Sequence, residues 1–166
     1  MLIRSAAALI FAFSTLGSAR AQDVSGCEKF KWSVARERAW FAANPKPAPA
    51  GAELPTLDQG YAVTLSPSES AGFVLPPERA PKSGTFGAVV KFTLAKAGAY
   101  EVTLSDEAWA DVIQGGARVK SSDFSGQKGC PGVRKSVKFS LAAGPAALQI
   151  SNAEAQKINL AVAPAE

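Results

Sequence analysis

The fold is decided by Phe86-Gly-Ala-Val-Val-Lys-Phe-Thr-Leu94 and, after a short break, Gly98-Ala-Tyr-Glu-Val-Thr-Leu104. In the first run Phe86, Ala88, Val90, Phe92 and Leu94 share one parity, and Gly87, Lys91 and Thr93 take the other. In the second, Tyr100, Val102 and Leu104 alternate with Glu101, Thr103 and Ser105. Side chains two apart on an extended chain point to the same face, so such runs predict strands with one buried face. The pattern continues in both directions. Tyr61–Leu65 and Phe73–Leu75 precede it; Val137, Phe139 and Leu141, then Leu148 and Ile150, then Ile158, Leu160 and Val162 follow. Turn-forming residues separate the runs at 96–98, 114–116, 125–132, 143–145 and 152–156. No long helical stretch intervenes, which disfavours a parallel α/β sheet. The expected class is mainly β, an antiparallel β-sandwich or jelly roll over residues 56–166, with one short N-terminal helix.

That helix belongs to residues 22–55. Ser33 is the expected N-cap, and Val34–Ala43 contains neither Gly nor Pro. Phe30, Val34 and Phe41 fall near helical spacing, and Asn44-Pro45 ends the run. The following segment to Pro55 is proline-rich and predicts an extended connector. Residues 1–21 have the three parts of a secretory signal: Arg4 near a short positive start, the apolar run Ala6–Leu16, and Ala19-Arg20-Ala21 as a cleavage site. The apolar run is shorter than the roughly 20 residues a spanning helix needs. A cleaved product, periplasmic or secreted and without stable membrane insertion, is expected. Removing Arg4 and Arg20 lowers the formal charge from +4 to +2. With no basic cluster, a nucleic-acid partner is not expected.

The two cysteines, Cys27 and Cys130, predict one structural disulfide in an exported chain. Histidine is absent altogether. This removes Ser-His-Asp and Cys-His nucleophile activation, His-ligated zinc and the two-His iron site, leaving carboxylates, Lys and Tyr for any catalysis. No cofactor is expected.

Two segments are candidates for a site. Ser105–Gly116 sets Asp106, Glu107 and Asp111 around Trp109. An exposed Trp109 with Asp111 as hydrogen-bond acceptor would suit a sugar, whereas a core-packing Trp109 with turn acids is the plainer alternative. If Ala108, Ala110 and Val112 face the core, Trp109 and Asp111 point outward together. A glycosidase pair would need two acids about 5–10 Å apart, one with a raised pKa, and Asp106, Glu107, Asp111 and Asp123 are the available groups. The second segment, Ser121–Ser136, carries three glycines with Lys128, Arg134 and Lys135. It lacks the P-loop spacing and is followed by a strand, so it is expected to be a structural loop around Cys130, with Lys128 and Arg134 as possible ligand contacts.

Across Gly84–Val162, the apolar strand followed by Gly98-Ala-Tyr100 and a second alternating strand resembles bacterial pre-peptidase C-terminal-type modules. The resemblance implies a non-catalytic jelly-roll-like domain of the kind attached to secreted hydrolases and used in binding. The Cys27…Phe30-Lys-Trp32 start and the Gly129-Cys-Pro-Gly132 loop resemble a group of short exported bacterial proteins, some labelled homogentisate dioxygenase. An iron dioxygenase site is at odds with a chain that has no His. The expected function is therefore a periplasmic binding module for a glycan, an envelope component or a protein partner. The alternatives are a carboxylate-dependent hydrolase of envelope polysaccharide, or an enzyme inhibitor presenting a protruding Phe124–Val133 loop.

Overall fold

The computed structural model describes residues 26–166; the expected signal segment, 1–21, lies outside the described residues. After a short 3-10 turn at Cys27–Lys29 and helix α1 (Ala35–Ala42), the chain forms β1 (Lys46–Ala48), β2 (Glu53–Leu54), β3 (Tyr61–Thr64), β4 (Ser66–Pro67), β5 (Phe86–Leu94) and β6 (Gly98–Leu104). Then follow β7 (Trp109–Gln114), β8 (Ala117–Val119), β9 (Ser121–Gly126), β10 (Lys135–Leu141), β11 (Gly144–Ala153) and β12 (Lys157–Pro164). They make two sheets, ordered β1-β3-β12-β6-β10-β9 and β2-β5-β11-β7-β8, with β4 beside β5.

The expected parity holds. Val63, Val102, Leu104, Phe139, Leu160 and Val162 of the first sheet form one core cluster with Val90, Phe92, Leu94, Val112, Leu148 and Ile150 of the second. Inward faces of two sheets packed together define a β-sandwich. Each such side chain contributes about 1.5–3 kcal/mol by leaving water.

The proline-rich connector is extended, as expected, and it is also paired. Lys46–Ala48 runs parallel to β3, and Glu53–Leu54 runs parallel to β5. The sandwich is therefore not purely antiparallel. Prolines are tolerated there because β1 and β2 are edge strands.

Helix α1 starts one residue later than the sequence suggested. Val34 occupies the cap position without a side-chain cap bond, and Ser33 Oγ accepts from Ala35 N at 3.3 Å. At the other end Asn44 adopts φ 65°, a left-handed stop that Asn accepts better than most residues. Phe30, Val34 and Phe41 are buried with Cys130, Val133 and Ala161, so the N-terminal segment packs on the outer face of the first sheet. The Cys27–Cys130 disulfide joins the two across a separation of 103 residues.

Phe73–Leu75 is not a strand. Gly72 and Pro76-Pro77 flank it, and proline supplies no N–H to a ladder. Residues 71–84 instead form a strap over the outer face of the second sheet, held by the side chains of Asp111, Arg118, Gln149 and Asn152. Gln149 accepts from Leu75 N (2.9 Å) and donates to Leu75 O (3.1 Å). Asp111 accepts from Glu78 N, and Asn152 from Lys82 N, each at 2.9 Å.

Candidate functional site

The site begins with a change of sheet. Gly115 and Gly116, with φ 60° and 79°, make the two-residue turn that folds β8 back on β7. The register pairs Gln114 with Ala117, Ile113 with Arg118 and Val112 with Val119. Continued, it would set Ser121 opposite Ala110. The chain leaves at Lys120 instead, and Ser121 pairs with Phe139 in the other sheet. Half of β7 is thus left without a neighbour on that side, and a cleft of about 440 Å³ opens between β7 and β9.

Ala110, Val119, Val137 and Phe139 supply the cleft's apolar surface. Val137 and Phe139 belong to the main core, and Ala110 and Val119 pack against it. Trp109 lies on one side, and Phe124 on the other, 63% exposed. Glu78 and Arg79 from the strap, with Glu107, Arg134 and Lys135, add charged groups to the lining.

The parity of β7 matches the first alternative for Trp109: Ala108 and Val112 face the core, while Trp109 and Asp111 are on the opposite face. The Trp109 ring is half-buried and already attended by cations, the Arg79 guanidinium 4.4 Å and Lys135 Nζ 5.5 Å from its centroid. Asp111 is 2% exposed, and both its oxygens are engaged within the protein. Oδ1 accepts from Trp109 Nε1 (3.1 Å) and pairs with Arg118 Nε (3.4 Å), and Oδ2 takes the Glu78 amide. A buried carboxylate needs such partners. They make Asp111 an anchor of the strap and the indole, set behind the ring.

Arg134 lines the cleft, and Lys128 does not: it is exposed on the turn between β9 and β10. Ser121–Ser136, expected to be a loop throughout, opens as strand β9, because the alternation there is carried by polar residues and only Ser125 is buried. Its second half is pinned by Cys130, 7% exposed, and Val133, 1% exposed, and does not protrude.

The acids do not gather as a catalytic pair. Asp106 is exposed and accepts from Ser105 Oγ at 2.6 Å. Asp123 is bound by Lys31 Nζ at 2.6 Å, and this contact with the Phe124 amide holds its carboxyl below the usual range. Glu107 pairs with Arg134 (2.5 Å) and Lys135 (3.0 Å). Partial burial works to raise its pKa, but the two cations outweigh it and hold the carboxyl below the ordinary value. Among the described residues, no group of three Cys, Asp or Glu side chains is placed to hold a metal ion. No described helix is long and apolar enough to cross a membrane.

Phe124, the most exposed of the lining rings, had no role as a ligand contact in the sequence reading. Its neighbours Asp123 and Ser125 hide it in a polar stretch, and only the ladder with β10 turns it towards the cleft. A search with family models, with curated proteins and with solved structures returned no match.

Proposed function

We propose that the chain is an exported, non-catalytic binding module that holds its ligand in the cleft between β7 and β9. The observation that carries this reading is the cleft itself. It joins an exposed ring at Phe124, an apolar floor and fixed cations, while the carboxylates of Glu107 and Asp111 are spent on partners within the protein. Clefts of a few hundred Å³ that set apolar walls beside convergent polar groups are the usual form of a small-ligand site. A hydrolase of envelope polysaccharide would need one acid kept protonated, and Glu107 is held in the opposite direction. An inhibitor reading would draw support from a protruding Phe124–Val133 segment, and that segment is strand followed by a pinned turn. The resemblance to pre-peptidase C-terminal-type modules, themselves non-catalytic, favours the same reading.

The test is retention of the oxidised protein, without its signal segment, on immobilised cell-wall glycans and on fractionated envelope protein. Phe124→Ala removes an exposed ring that the core does not need. Loss of one stacking contact predicts retention weakened about tenfold, with the denaturation midpoint unchanged. Equal retention by wild type and variant places the ligand elsewhere.

A further inference from the structure

The cleft occupies a strand position beside β7 that β8 does not fill. Along β7 successive residues turn their main-chain groups to opposite sides. Val89 O and Lys91 N bond outward, to Gly51 N and Ala52 O, so Val90 turns towards β11 and pairs there with Leu148. Leu148 thus faces β5, and Gln149 faces β7 opposite Asp111. By the same alternation Ala110, Val112 and Gln114 face away from β11. Val112 and Gln114 meet β8, and Ala110 meets the cleft. Ala108 has the same orientation, and its carbonyl is taken by Lys135 Nζ at 2.8 Å. The lysine closes one end of the free edge, as charged side chains do on many natural sheet edges. The N–H and C=O of Ala110 remain, one donor and one acceptor with strand spacing, above an apolar floor.

Resting on the reading of the cleft as a binding site, we propose that the position beside Ala110 is filled by a segment of another polypeptide. It lies extended and antiparallel to β7, with a carboxylate at its C-terminal end facing Arg79. The direction follows from β8, whose path the segment continues. The main-chain pair at Ala110 matches a peptide unit, and an inward side chain would meet Val119, Val137 and Phe139. The charge follows from Arg79. It is exposed at the Trp109 end of the cleft, and among the described residues no carboxylate lies within ion-pair distance of it. Arg134 and Lys135 add two cations there, so that three cations face two exposed acids of the lining, Glu78 and Glu107. A sugar is the poorer fit, because the Trp109 ring it would stack on already carries the Arg79 guanidinium at 4.4 Å.

The probe is a random heptapeptide library with free C-termini, selected against the oxidised protein, with recovered peptides titrated into amide-labelled protein. Binding is expected to shift the Ala110 amide. N-methylation of the peptide unit facing Ala110, amidation of the C-terminus, or Arg79→Ala should each weaken binding about tenfold or more. Arg79 is exposed, and the N-methyl peptide leaves the protein unaltered, so unfolding does not mimic the result. A library that yields no binder overturns the inference, as do binders that leave Ala110 unmoved or tolerate N-methylation. If cell-wall glycans then bind in a Phe124-dependent way, only the peptide assignment falls. If neither binds, the reading of the cleft falls with it.

Discussion

Glu101 is the residue with the most unusual surroundings. It is 1% exposed on the outer face of the first sheet, covered by the N-terminal segment. Lys138 Nζ lies 3.2 Å from one oxygen and Arg36 Nη2 3.8 Å from the other, yet neither oxygen has an aligned hydrogen bond. Arg36 is also shared with Glu37 and Glu166. Burial is the dominant influence and raises the Glu101 pKa above its ordinary value of 4.5, despite the two cations. The folded protein therefore keeps this proton to higher pH than the unfolded chain. Well below pH 4.5 both states are protonated and the group gives stability no pH dependence. As pH rises the unfolded chain ionises first, so stability falls until the folded carboxyl ionises as well. Glu101→Gln should flatten that decline, seen as a urea midpoint that varies less with rising pH above 4.5 than in wild type. An unchanged pH slope would mean that another group carries it.

At the scale of elements, the strap over the second sheet has no ladder of its own and depends on borrowed polar groups. Gln149, fully buried, bonds both the N–H and the C=O of Leu75. Gln149→Ala leaves both Leu75 groups unsatisfied and should cost about 2–4 kcal/mol. Hydrogen exchange should accelerate at Leu75 and Glu78 well before it does in β5 or β11; uniform acceleration would show that the strap does not open alone. Such dependence is what the sequence hides. The strands at 86–94, 98–104 and 135–141 were legible because apolar residues alternate over many positions. Phe73–Leu75 has the composition of a strand, but its polar partner is the Gln149 side chain, whose distant placement no local pattern reveals. The cleft was half legible. Trp109, Asp111 and Arg134 do come together, whereas the place of Phe124 and the exposure of Ala110 depend on a sheet change at Lys120 that the composition does not signal.

For the whole molecule, the disulfide is the tie between the N-terminal segment and the sandwich. It closes a loop of 103 residues, for which the chain-entropy model gives at most about 4.7 kcal/mol. The double variant Cys27→Ser, Cys130→Ser should lose about 2–5 kcal/mol and expose residues 26–43 to protease first. Cleavage beginning within β5–β12 would mean that the bridge stabilises the sheets directly. A different consequence follows from strand order. The middle of the first sheet is β12 and that of the second is β11, so residues 144–164 supply a central strand to each. Neither sheet is continuous until residues 144–164 are in place. Without them β1 and β3 lose their link to β6, β10 and β9, and β2 and β5 lose theirs to β7 and β8. One contiguous stretch of about twenty residues is thus the rivet of both layers, and damage within it should unfasten the two together.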